Sequence, residues 1–318
     1  MAEQWLVGVD MGATDTKIAL LTQDGVILTK TKIPTEPKSN PTACWGNIIK
    51  AILELIKAQK ADLRQVAAIG VGCPGPLNSQ KGVIIEAPNL PGWKNVEVKK
   101  IIERELKIIT AVNNDANAAA YGEFWRGAGR SASTLIMFTL GTGVGGGIIL
   151  DGKLYKGIDD TAGELGHIIV QPGGKACGCG ATGCLETLAS VTAVRQMALD
   201  SVAQGIKTEL SKFDENSIDG RLIYECAKNG DALSLKLLHN VGYWLGLASA
   251  SLVNVLNPEM ILISGGMSNA ADIILPKLRE TLDKNAFRTP AARVKTAVAE
   301  LGEDAGMIGA AGLAKLDV

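Results

Sequence analysis

Apolar residues open the chain as a run at 5–10 and resume at 16–21, after the turn Met11-Gly12-Ala13-Thr14. Gln23-Asp24-Gly25 supplies a hairpin turn into a third run at 26–33, so the pattern predicts a three-stranded antiparallel meander. Asn40-Pro41 then opens a helix, with Asn as the cap and Pro in the first turn. Ile48, Ile49, Ile52, Leu53 and Ile56 recur at helical spacing, and this helix ends near residue 60. Residues 66–73 read as a buried strand closing on Pro74-Gly75-Pro76. A helix is expected over 96–106, a short strand over 108–112 ending at Asn113-Asn114-Asp115, and a helix over 116–124.

The pattern then begins again. Residues 134–140 form an apolar strand ending in Gly141-Thr142-Gly143, a second strand covers 146–150, and Asp151-Gly152 turns into a third at 153–155. Strand, Gly/Thr turn, strand, Asp-Gly hairpin, strand thus occurs twice, which predicts a duplicated α/β unit. From 191 onward the chain reads as mostly helical. A strand at 260–263 runs into Ser264-Gly265-Gly266-Met267, and a last helix covers 304–315. No linker or low-complexity tract separates the halves, so two lobes with a cleft between them are expected.

Composition narrows the class. The 318 residues carry 32 basic and 33 acidic side chains, with 47% hydrophobic and 20% charged residues. That balance excludes disorder and argues against nucleic-acid binding by bulk charge. Glycine stands out at 37 residues against 11 prolines, as tight turns and phosphate-binding loops require. No apolar run suits a signal peptide or a membrane span, so a cytoplasmic protein is expected. Six cysteines do not make a disulfide scaffold at this length.

Three apolar strands feed Gly/Thr/Ser turns: at Asp10–Thr14, at Gly141–Gly147, and at Ser264-Gly265-Gly266-Met267. Converging backbone N–H groups and hydroxyls there suit phosphate oxygens, and an acidic strand end suits a hydrated magnesium ion. Each turn alone is also ordinary hairpin chemistry; three together fit one triphosphate. There is no G-x-x-x-x-G-K-[ST] loop, and 141–147 does not lead into a dinucleotide-binding helix.

The sharpest local signal is His167 followed by Cys177, Cys179 and Cys184, four ligands within 18 residues. These match a closed tetrahedral structural zinc site, while a disulfide, a redox pair and free thiols are the rival readings. Asp115 is either a helix cap or a general base. Glu164 and Glu186 flank the cysteines as surface acids or as acceptors for sugar hydroxyls. His239 reads as an ordinary helix residue, and Cys44, Cys73 and Cys226 as small hydrophobes. The five tryptophans are scattered and form no stacking platform for nucleic acid.

Taken together, the Asp10–Thr14 turn, Pro88-Asn89-Leu90-Pro91-Gly92-Trp93, Asn114-Asp115-Ala116-Asn117-Ala118, Gly141-Thr142-Gly143, Gly163-Glu164-Leu165-Gly166-His167 and the 177–186 cluster resemble the ROK family of bacterial sugar kinases and sugar-responsive repressors. The likeness implies the actin-like, hexokinase-type (ribonuclease H-like) duplicated α/β fold. It also implies a small lobe of 1–115 plus 302–318 and a larger lobe of 116–301. By the same resemblance Asp115 would be the catalytic base on the sugar 6-hydroxyl. Gly75, Asn89, Asn114, Glu164, His167 and Glu186 would bind the sugar, and His167 would also ligate zinc. Asp10, Gly12, Thr14, Lys17, Gly141, Thr142, Gly143, Gly265 and Gly266 would serve ATP and Mg2+. Ala13 departs from the family's second Gly and is tolerable only with a negative φ.

The implied reaction is phosphoryl transfer from ATP to a hexose. Glucose is the first expectation, because Pro74-Gly75-Pro76 and 88–93 look like the loops of glucokinases. Allose, fructose, mannose, N-acetylglucosamine, N-acetylmannosamine, or a non-catalytic sugar sensor are the alternatives. The family's repressors carry a DNA-binding helix-turn-helix before the first phosphate loop, whereas nine residues precede Asp10, so no nucleic-acid partner is expected. A homodimer or higher homo-oligomer is implied.

Overall fold

The computed structural model describes residues 4–36, 40–87, 90 and 92–318. Strands β1 (Trp5–Met11), β2 (Asp15–Thr22) and β3 (Ile27–Pro34) form the expected antiparallel meander. Helix α1 (Pro41–Ala58) starts on the Asn40 cap, whose side chain accepts from the Thr42 N–H at 2.9 Å. It is followed by β4 (Val66–Cys73), and then by three short strands, β5 (Leu77–Asn78), β6 (Val83–Glu86) and β7 (Lys94–Val96), which among the described residues form a sheet of their own. Helix α2 (Val98–Leu106), strand β8 (Ile109–Asn114) and helix α3 (Asp115–Trp125) complete this half.

The second half repeats the plan with β9 (Leu135–Leu140), β10 (Val144–Leu150) and β11 (Lys153–Leu154). Helices α4 (Glu186–Ala189), α5 (Val191–Ala203), α6 (Gly220–Lys228) and α7 (Ala232–Leu256) precede β12 (Met260–Ser264). Then come α8 (Ala271–Asn285), α9 (Arg288–Arg293), β13 (Lys295–Val298) and the last helix α10 (Ala305–Lys315). The two five-stranded sheets run β3-β2-β1-β4-β8 and β11-β10-β9-β12-β13. Third, second, first, fourth, fifth is the same order in both, so the duplication read from the sequence is a duplication of topology. β4 and β8 join their sheet in parallel, and so do β12 and β13.

The chain divides into two compact units. One comprises Met1–Ser131, Gly147–Gly163 and Glu300–Val318; the other comprises Ala132–Gly146 and Glu164–Ala299. Relative to the expected boundary at 115, helix α3 and residues 147–163 group with the first unit. For α3 the reason is its packing on α10: a Cβ on Gly309 would lie 1.6 Å from the Ala118 carbonyl oxygen.

Central strands of the first sheet are apolar on both faces, as burial between helices demands. Val7, Val9, Ile69 and Val71 pack with Trp45, Ile48 and Ile52 of α1 and Ile102 of α2. On the other face Leu6, Ala68 and Ala111 meet Met307 and Ala311 of α10. Here backbone approaches backbone, because a Cβ on Gly70 would sit 1.8 Å from the Ala310 carbonyl oxygen.

The Glu123 carboxylate, fully buried at the end of α3, accepts N–H groups of Ala128, Glu300 and Leu301 at 2.9, 3.0 and 2.7 Å. It thereby ties α3 to the segment that enters α10. The sequence pattern did not single it out, and it also missed the β5-β6-β7 sheet, whose strands of two to four residues carry no periodicity.

Gly70→Ala forces an extra carbon into this close approach and is expected to cost about 1–3 kcal/mol or more. Urea unfolding checks it, and an unchanged midpoint would contradict the packing described.

Candidate active site

In the first unit the carboxyl ends of parallel strands β1, β4 and β8 lie side by side, with Asp10 opposite Gly72 and Cys73 opposite Asn114. The ends of parallel strands are where open α/β sheets bind ligands. Burial pushes the carboxyl of Asp10 above the usual range, and the nearby Lys17 ammonium partly opposes this. A Cβ on Gly306 would fall 2.6 Å from the Asp10 Cγ, so the carboxylate rests on the first turn of α10. Helix N-termini favour negative charge there. Lys17, across from Asp10 in β2, pairs with Glu303 at 3.1 Å.

Cys73 is fully buried, and its thiol is raised well above its ordinary range by burial and by the charges of Asp115 and Asp10. Asp10 lies opposite Gly72, and Asp115 follows Asn114, the partner of Cys73, so both residues stand at the same end of the sheet. Asn114, not Asp115, caps α3: its Oδ1 accepts the Asn117 N–H at 3.1 Å. Asp115 opens the helix and its Oδ1 accepts the Ala116 N–H at 2.8 Å. Capping uses the Asn114 oxygen and leaves its amide N–H groups for other partners.

The Asp10–Thr14 turn is braced from behind. Gly12 N–H donates to the Asp15 carbonyl, Thr35 N–H to the Thr14 carbonyl, and the Thr35 hydroxyl to the Gly12 carbonyl, all at 2.8–2.9 Å. Ala13 is not among the residues of positive φ, so its departure from glycine is accommodated. Gly75, with a φ of +86°, follows β4 after Pro74. Asn89 lies outside the described residues.

In the second unit the four predicted metal ligands converge. The ligand atoms of His167, Cys177, Cys179 and Cys184 lie within 4.8 Å of one another. Cys179 Sγ and Cys184 Sγ are 3.7 Å apart, and Cys177 Sγ is 3.6 Å from His167 Nδ1. A disulfide would need about 2.05 Å. Zn–S bonds near 2.3 Å in a tetrahedron set sulfurs about 3.8 Å apart, so the donors fit one zinc ion.

Glu186 begins α4 directly after this cluster. Its Oε2 accepts the Val144 N–H at 2.9 Å, and its Oε1 lies 3.9 Å from Cys177 Sγ. A side chain on Gly143 would collide with that carboxylate. The loop Gly141-Thr142-Gly143 is held further by α5, through Val191 N–H on the Gly141 carbonyl (2.9 Å) and Thr192 hydroxyl on the Thr142 carbonyl (2.8 Å). Glu164 and His167 share one helical turn, with His167 N–H on the Glu164 carbonyl at 3.0 Å. Gly265 (φ +87°) packs on the Leu140 backbone, beside the same loop. Thus the cysteine cluster, Glu186, the glycine loop and Gly265 form one connected assembly. His239 is exposed on α7, Cys44 is buried in the apolar core, where its thiol donates to the Thr35 carbonyl at 2.9 Å, and Cys226 is buried on α6 near the charges of Asp231 and Glu209.

The sequence matches the ROK family over residues 6–316, and the chain belongs to that family. It is 39% identical to a glucokinase of Halalkalibacterium halodurans, covering 99% of this chain and 96% of the relative. The solved structure of a ROK family glucokinase from Streptomyces griseus, in complex with glucose and AMPPNP, superposes with a TM-score of 0.80 at 31% identity, over 98% of this chain and 99% of that one. A ROK family transcriptional regulator, a homolog of E. coli MLC, gives 0.90 at 29% identity, over 99% of this chain and 78% of the regulator. The duplicated fold is therefore the hexokinase-type, actin-like one.

Burial favours the neutral form of Asp10, so its ionised form costs folding free energy at any pH above the ordinary carboxylate range. Asp10→Asn is expected to raise Tm at pH 7, and the gain should vanish as pH falls below about 4, where Asp10 is neutral in both states. Thermal melts across pH check this; a lower Tm at pH 7 would contradict it.

Proposed function

We propose that the chain transfers the γ-phosphoryl group of ATP to the 6-hydroxyl of glucose. The observation that carries this reading is the connected assembly around Glu186. There Glu186, an acceptor suited to sugar hydroxyls, itself braces the glycine loop suited to phosphate. Relatives that are glucokinases along almost their whole length support it.

In the proposed reaction Glu164, Glu186, Asn89, Asn114, Gly75 and the free ring nitrogen of His167 hold the sugar hydroxyls. Asp115 accepts the proton of the 6-hydroxyl. The sugar O6 forms a bond to the γ-phosphorus as the bond to the ADP oxygen breaks, and the proton passes from Asp115 to solvent. Proton loss comes late in a loose transition state, so an ordinary carboxylate suffices, and positioning and charge neutralisation do most of the work. Gly12, Thr14 and Lys17, with Gly141, Thr142 and Gly143, offer donors to the phosphates, and Gly265 and Gly266 line the adenosine side. Asp10 is the carboxylate that would hold magnesium, which when bound neutralises phosphate charge. His167, Cys177, Cys179 and Cys184 would hold a structural zinc ion. The second reading, a sugar sensor without turnover, draws on the likeness to the transcriptional regulator.

Asp115→Asn is expected to lower kcat by a factor of about 100 or more while the glucose Kd stays within a few-fold. Single-turnover assays and calorimetry check both, and retained turnover would remove Asp115 as the base. Cys179→Ala is expected to lose zinc, read by elemental analysis, together with most of the glucose affinity. Zinc-free wild-type protein with full glucose affinity would contradict the metal assignment.

A further inference from the structure

The mechanism leaves unused a partly buried polar cluster of Ser79, Lys156 and Asp160. Asp160 Oδ1 accepts the Ser79 hydroxyl at 2.6 Å and its Oδ2 accepts the Ser79 backbone N–H at 2.8 Å. The Lys156 ammonium donates to the same hydroxyl at 2.6 Å and lies 3.4 Å from the carboxylate. Only 12% of the Asp160 side chain is exposed. The backbone of Asp160 has φ +64°, a left-handed conformation that a non-glycine residue adopts at a cost and keeps only where its surroundings hold it. The loop is closed at its base by Ala162 N–H on the Lys156 carbonyl (3.1 Å), while Ile158 at its tip is fully exposed. A loop with a solvated tip and a carboxylate clamp at its foot is held by the clamp rather than by a core.

What the clamp joins gives it meaning. Ser79 lies four residues after Gly75, and Asp160 lies four residues before Glu164. Gly75 leads through Pro76, whose carbonyl accepts the Ile85 N–H at 3.0 Å, into the β5–β6 hairpin that carries Ser79. Asp160 leads through Thr161, Ala162 and Gly163 (φ +89°) straight into Glu164. One carboxylate thus fastens two segments, each of which ends at a residue assigned to the sugar.

We propose that Asp160 is a positioning residue for the sugar site, its clamp on Ser79 fixing the loop that delivers Glu164. This inference rests on the assignment of Gly75 and Glu164 to sugar binding. Without the clamp the loop samples more conformations, and glucose must order it on binding, which lowers affinity for the sugar and not for ATP.

Asp160→Gly is the informative variant, because glycine accepts the left-handed backbone while removing the carboxylate. The expected result is a glucose Kd and KM raised about tenfold, an ATP KM within twofold and unchanged zinc content. Adding Ser79→Ala to Asp160→Gly should cause little further loss, since the two act as one unit. Asp159→Asn, which keeps an acceptor for the Thr161 hydroxyl and removes only a charge beside Asp160, is the control and should behave as wild type. Calorimetry with glucose and steady-state kinetics read these effects. A folded Asp160→Gly protein with unchanged glucose Kd and KM would overturn the inference while leaving the kinase reading standing. Wild-type protein that neither binds nor phosphorylates glucose would remove both.

Discussion

The architecture turns on how closely α10 lies against its own sheet and against α3. With Gly70 beneath Ala310 and Gly309 beneath Ala118, carbonyl groups stand where any side chain would block them. This contact buries the helix almost along its whole length and delivers its first turn to the Asp10 carboxylate. The buried Glu123 carboxylate then absorbs three N–H groups of the flanking segments, which in an apolar setting would each cost about 1–3 kcal/mol if left unpaired. Close packing and full hydrogen bonding together hold Asp10 and Asp115 at the same end of the first sheet.

The second unit solves a different problem with a different device. Its loops at 141–147 and 173–183 are rich in glycine. Sulfur and imidazole donors gather them at spacings that suit a tetrahedral ion, and Glu186 passes that order to the glycine loop through the Val144 N–H. A reaction that depends on placing an alcohol against a phosphorus atom profits from such rigidity, because misplacement by about 1 Å can cost a hundredfold in rate.

Much of this was legible in the sequence, because the strands that carry the site are long and apolar. The run 66–73 matches β4 residue for residue, the Asn40 cap starts α1, and the twice-used meander is the sheet topology of both halves. The cysteine spacing foretold a converging donor set. What escaped were bonds between distant residues. Glu123 meets a segment 177 positions away and Ser79 meets a loop 81 positions away, and neither leaves a local periodic mark. Glu186, expected as a surface acid or a sugar acceptor, proves also to brace Val144, 42 residues upstream. The cap of α3 fell to Asn114 rather than Asp115, a shift of one residue that leaves the Asp115 carboxylate at the head of the helix.

The central claim is phosphoryl transfer to the sugar 6-hydroxyl, and the most direct measurement is ADP release from magnesium-ATP with glucose and with 6-deoxyglucose, alongside a panel of other hexoses. The account predicts steady ADP release with glucose, the highest kcat/KM of the panel for glucose, and none with 6-deoxyglucose, which binds but offers no nucleophile. Binding of glucose without any ADP release would contradict it and leave a sugar sensor in its place.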